Sequence, residues 1–332
     1  MATLTRILAG ALCISCALPA QSPTESKPVA EVANVRFHSD VLLNLHHTLF
    51  AAAWARRPEA ASGRGLAGKL PAPLDGPLTD EERAAWDAAV DHYDQHIAPH
   101  DLLFGQGMEP LKIALIAGDL DSPVIGRHLR AILESAMAVY LRHFWPAHDR
   151  VNRAWIAATV DRMKQIAPET VARLEKLYEA QWFPSPVRAD IVWVGSRLGA
   201  FTSVGPPPHA TISSGDMSGG GWAEVETVFH EFSHVLILPI QARIARSLGD
   251  RIREHGVLWH VVQFYLTGAA VQEVLKGRGI DHEPYMYATG LFDRAWGRYR
   301  RPVETNWEPY LQGKVNLDDA IAGTLKMLDA AR

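Results

Sequence analysis

Five residues, His230-Glu231-Phe232-Ser233-His234, place two imidazoles four positions apart with a carboxylate directly after the first. On a helix, residues four apart share one face, so both rings can aim a nitrogen at one point. Catalytic zinc takes three protein ligands, neutral imidazole prominent among them, and leaves a fourth tetrahedral position to water. Glu231 sits off the axis of the two rings, where it can take a proton from that water. The polar residues thus divide the chemistry between them. His230 and His234 hold Zn2+, and Glu231 is the general base. Chance is a weak rival, because a chain of this length and composition should contain only about 0.04 such patterns. The flanking Val225, Val228, Phe229, Phe232, Val235 and Leu236 are apolar. Two imidazoles and a carboxylate are costly to bury in that setting without a role.

Two histidines do not complete a zinc shell. His260 is the preferred third ligand, because it lies in the apolar stretch GVLWHVVQFYLTG, where an unpaired imidazole is poorly placed. It follows His234 by 26 residues, room for one turn-back between antiparallel helices. A core histidine bonded to a backbone carbonyl is the competing reading. Glu254, 20 residues after His234, and Glu273 are the acidic alternatives, and His255, read as exposed, is a weaker one. Attack on a carbonyl also needs a donor for the oxyanion. Tyr285, projected by the turn at Pro284, leads, with Tyr287, Tyr265 and His282 as alternatives. Glu226, one turn before His230, reads as a support for a ligand or as a surface charge. His46 and His47 read as structural, one bonded inside a helical bundle and one near the surface. Asp91, His92, Asp94, His96, His100 and Asp101 read as a solvated helix end.

The elements that must position these residues follow from periodicity and punctuation. VLLNLHHTLFAAAWA is apolar at helical spacing, residues 63–77 form a Gly- and Pro-rich loop, and Thr79 with Glu82 predicts a capping box. Two further helices follow, the second broken before Pro168. From Pro184 the texture changes: ADIVWVGSR, GAFTSVG and HATISS read as three strands. A glycine-rich turn then feeds a helix from about Trp222, which Pro239 should bend or end. Another helix runs from about Gly256 to Lys276, and a last helical region follows Tyr285. The expected fold is α+β, mostly helical, with a small mixed sheet preceding the motif helix. Its parts are a leader over 1–20, a linker over 21–33, a helical part over 34–183 and a catalytic part over 184–332.

With these elements in place, the stretch 209–238 resembles the zincin metallopeptidases, which are defined by the same five-residue pattern. The order of strands, glycine turn, motif helix and later helices is also similar. The resemblance implies a zincin-like fold and an edge strand that holds an extended peptide by β-addition, a place taken here by HATISS (209–214). The metzincin branch is excluded, since Ile237 and Ile240 stand where it needs glycine and histidine. The Asn-Glu and Ser-Asp context of gluzincins is also missing. The chain further resembles exported bacterial proteins that share NLHH, the motif and a later LWH, a likeness that brings no substrate with it.

Composition bounds the remaining possibilities. The chain has 332 residues, 48% hydrophobic and 21% charged, with a net charge of -4, which points away from nucleic acid. Arg6 followed by ILAGALCISCALPA and a polar stretch reads as a secretory signal peptide, with a lipid anchor at Cys16 as the lesser alternative. Both cysteines, Cys13 and Cys16, lie inside it, so the mature chain would carry no disulfide. No later run is long and apolar enough to span a bilayer. The expectation is a periplasmic or secreted zinc metallohydrolase, foremost a metallopeptidase, acting on a peptide or a small amide or ester. A hydrolase of non-peptide amides or esters and a non-catalytic zinc-containing binding protein are the alternatives.

Overall fold

The computed structural model describes residues 26–57, 76–105, 107–195, 199–205, 207–215 and 220–330. The leader, both cysteines and residues 216–219 of the glycine-rich turn lie outside them. The fold is α+β, 67% helical with one mixed five-stranded sheet. None of the helices among the described residues is long and apolar enough to cross a membrane.

The sheet begins earlier than the sequence suggests. β1 (Ala30–Val32) and β2 (Val35–His38) form an antiparallel hairpin, so β1 arises within the stretch read as a linker. Ala33 and Asn34 make the turn at φ of 51° and 58°, the left-handed geometry of tight hairpins. The Trp182 indole donates to the Ala33 carbonyl, and the Asn34 amide donates to that of Phe183. Those contacts tie the hairpin to the rest of the chain. β3 (Val187–Val192), β4 (Ala200–Ser203) and β5 (His209–Ser213) complete the order β1-β2-β3-β5-β4. β2, β3 and β5 are parallel, and β4 is antiparallel to β5. The stretches 34–183 and 184–332 therefore share one sheet.

Between β2 and β3 run α1 (Val41–Ala55), α2 (Asp80–His96), α3 (Met108–Ile116), α4 (Gly126–His143) and α5 (Trp145–Tyr178). The capping box at Thr79 and Glu82 is present, with bonds of 3.2 and 3.0 Å. The break before Pro168 does not occur, because α5 runs straight through it. Met163 and Ile166 before the proline, and Leu174 after it, are fully buried in one core. That packing outweighs the lost backbone bond.

After the sheet come α6 (Trp222–Leu236), α7 (Leu238–Leu248), α8 (Ile252–His255), α9 (Leu258–Gly277), α10 (Tyr285–Ala288), α11 (Leu291–Leu311) and α12 (Leu317–Ala330). Pro239 sits in the first turn of α7 and marks the bend from α6, as expected. Strand alternation splits the interior in two. Ala189, Ile191, Ala210 and Ile212 join the core of α5, α6, α9 and α11, whereas Val192 and Phe201 join that of α1 to α4.

Candidate metal centre

The glycine before α6 sets where the motif begins. Gly221 has φ 67° and ψ -125°, a conformation that side chains resist, and α6 starts at the next residue. Val225, Val228, Phe229, Phe232 and Leu236 turn into the core, which sends His230, Glu231 and His234 toward α9 and the edge of the sheet. α9 is locked against α6 by Gln263, whose amide donates to the His230 carbonyl at 2.8 Å. Thr267 adds a hydroxyl contact to Ser233 at 3.2 Å. His260 lies one turn before Gln263 and so meets the motif.

His230, His234 and His260 offer ligand atoms that all lie within 4.8 Å of one another, the only such group of three or more among the described residues. Their ring centroids are 5.1, 5.4 and 5.1 Å apart. The His260 Nε2 is buried with no hydrogen-bond partner, which removes the reading of a core histidine satisfied through that atom. Burial first, then the neighbouring imidazoles, holds His230 well below the ordinary imidazole value. Burial followed by His260 brings His234 down to about 3, and burial brings His260 down to about 4. All three are therefore neutral at pH 7, the form that binds a divalent d-block cation. Donor type, spacing and an orphaned nitrogen all fit zinc.

Glu231 is buried, and the Thr202 hydroxyl lies 2.7 Å from its Oε2 and 2.9 Å from its backbone carbonyl, two acceptors for the one hydroxyl proton. Burial pushes its carboxyl up to about 7, against the opposing pull of Thr202 and Lys112. A carboxyl balanced near neutrality can both accept and return a proton. Thr202 belongs to β4, so the strand beside the site is β4. HATISS, expected at the edge, is instead interior: β5 is flanked by β3 and β4. A parallel partner on one side and an antiparallel one on the other cover both of its edges.

The rival ligands lie elsewhere. The Glu254 side chain is half exposed beside His255, 3.7 Å from its ring. Glu273 is paired with Arg173 at 2.9 Å on the surface. His255 is buried rather than exposed, with Nδ1 3.3 Å from the Tyr299 hydroxyl. Among the oxyanion candidates, Tyr287 donates to Glu304 and Tyr265 to Glu308, so both are committed to α11. Tyr285 is half-buried, and its ring stacks at 6.2 Å on Phe264, which in turn stacks at 3.7 Å on His230. Burial raises the Tyr285 phenol, Arg294 lowers it, and the charges of Glu226 and Glu231 raise it again. It is a neutral donor whose hydroxyl has no partner among the described residues.

Glu226 supports none of the three histidines. Its buried carboxylate accepts from the His282 Nε2 at 2.7 Å and from the Tyr285 amide at 2.9 and 3.0 Å. It pins the segment that carries Tyr285, and it occupies His282. His46 and His47 are both buried, so neither lies near the surface, and His46 Nδ1 is 2.9 Å from the Tyr93 hydroxyl. His128 gathers with His92 and His96 on an exposed face, at 4.9 and 4.7 Å from His92.

Sequence reasoning missed Thr202, Lys112 and the aromatic residues around the triad. Lys112 is buried on the opposite face of the sheet, donates to Thr211 at 3.1 Å and lies 4.5 Å from the Phe201 ring. Its one sequence signal is a lysine inside the apolar run of α3. Compared with known proteins, the chain matches no family model, no curated protein and no solved structure.

Proposed function

We propose that the protein is an exported zinc-dependent hydrolase, and foremost a metallopeptidase. The observation that carries this reading is the convergence of three imidazoles, their ligand atoms all within 4.8 Å of one another, beside the buried carboxyl group of Glu231 held by Thr202. His230, His234 and His260 would hold the ion, which when bound supplies Lewis acidity toward a carbonyl and acidifies water. Glu231 takes the proton from the attacking water and hands it to the leaving amine. Thr202 keeps the carboxylate oriented through its 2.7 Å bond. Tyr285 donates to the oxyanion from the mouth of the site. An extended peptide has a template in β4, the terminal strand next to the base. Export rests on the leader-like first 20 residues.

The test is metal analysis and hydrolysis by the purified protein on peptide, amide and ester panels. Wild type should bind one zinc per chain. Glu231→Gln should keep the zinc and lose roughly 100-fold or more in kcat. A Glu231→Gln protein with full activity would remove Glu231 from the mechanism, and four protein donors around the ion would favour a structural clasp. Cleavage confined to esters or small amides would favour the non-peptide alternative.

A further inference from the structure

Beside the three histidines stands a wall of aromatic rings. Trp259 and Phe264 come from α9, on either side of His260. The Trp259 ring lies 5.0 Å from that of His260 and 5.8 Å from that of His234. Phe264 stacks on His230 at 3.7 Å. Trp296 comes from α11, 5.6 Å from His260 and 5.3 Å from Phe264. These three rings are half-buried, unlike the fully covered Phe229 and Phe232 on the other side of the motif helix. Partly open aromatic rings clustered beside a few polar groups are the kind of lining that small-molecule sites favour.

The backbone at Trp296 departs from the helix around it. α11 is interrupted there, at φ -136° and ψ 25°, and continues as a helix afterwards. Such an interruption changes the direction in which the following turn faces. The indole at this interruption lies against His260 and Phe264. The wall is apolar, whereas proton-transfer and hydrogen-bonding capacity sits with Glu231, Thr202 and Tyr285.

We propose that Trp259, Phe264 and Trp296 form a subsite for an aromatic or other flat apolar group bonded next to the reacting carbonyl of the substrate. This inference rests on the metallohydrolase reading and adds the substrate class. A substrate with a charged or very small group there leaves the rings exposed. One with an aromatic group stacks on them while its carbonyl faces the three histidines.

Acetohydroxamate and benzohydroxamate share a zinc-binding head and differ in the group beside it, so they test the wall independently of any natural substrate. The zinc-loaded full chain should bind benzohydroxamate roughly tenfold more tightly than acetohydroxamate, the gain expected of one good ring contact. In Trp296→Ala and in Phe264→Leu, each checked for zinc content and helical circular dichroism, the ratio should fall to about threefold or less. Trp296→Phe, which restores a ring, should recover most of it. Equal affinity for the two probes in zinc-loaded wild type, or a ratio that survives both variants, overturns the subsite alone. A wild-type chain that takes up no zinc and binds neither probe overturns the metal reading, and the subsite with it.

Discussion

At the scale of single residues, chemistry is set by what surrounds each polar group. His260 and Glu254 are rivals on spacing alone, and the environment separates them: one imidazole has a buried nitrogen with no hydrogen-bond partner, and one carboxylate is half exposed beside His255. His260→Ala should therefore lower zinc affinity by roughly 100-fold or more, since a ligand is removed outright. Glu254→Ala and Glu273→Ala should leave it within about twofold of wild type. Competition against a chromogenic chelator measures all three. Unchanged affinity in His260→Ala would retire the three-histidine centre.

At the scale of elements, the placement of Tyr285 depends on one carboxylate, Glu226, between α6, α9 and the segment leading into α10. A side-chain carbon added at Gly268 would meet the Pro284 Cβ at 2.8 Å and the Glu226 Oε1 at 3.0 Å. Glycine is what lets the segment bearing His282 and Tyr285 lie down on α9. Gly268→Ala should cost about 1–3 kcal/mol of stability through overpacking, read as a lower urea midpoint. It should lower hydrolysis while leaving zinc content intact, because the displaced residue is Tyr285 and not a ligand. Loss of zinc from this variant would show that the segment supports the triad itself. Two departures from the sequence expectation also belong to this scale. Pro168 does not break α5 because buried side chains on both sides hold the helix together. β1 is hard to see in the sequence because a three-residue strand closed by Ala33 and Asn34 carries almost no pattern of its own.

At the scale of the whole molecule, the sheet separates two cores, and His46 and His148 are among the histidines buried there. Burial, with Lys112 adding to it, brings His46 down to about 4, and burial alone does the same for His148. The folded state then binds these protons less readily than the unfolded chain does. The stability they contribute is fully present above the unfolded value of 6.5 and is lost as pH falls toward 4. Each should cost about 1 kcal/mol per pH unit across that window. In chelator-treated protein the urea midpoint should fall between pH 7 and pH 5, about neutral and mildly acidic conditions. His148→Phe should flatten that slope, and an unaltered slope would show that His148 titrates normally in the fold. Sequence alone determined the motif helix, the bend at Pro239, the capping box at Thr79 and the α+β class, because each is written in local spacing or local turn chemistry. His260 stood out only as a costly residue in an apolar helix, with other donors still open. Tertiary structure decided that this helix lies against the motif, that β4 and not β5 is the terminal strand, and that Thr202, Phe264 and Trp296 close around the site while Lys112 sits behind the sheet. Those are distances between residues remote in sequence, and no local period encodes which faces a folding chain will press together.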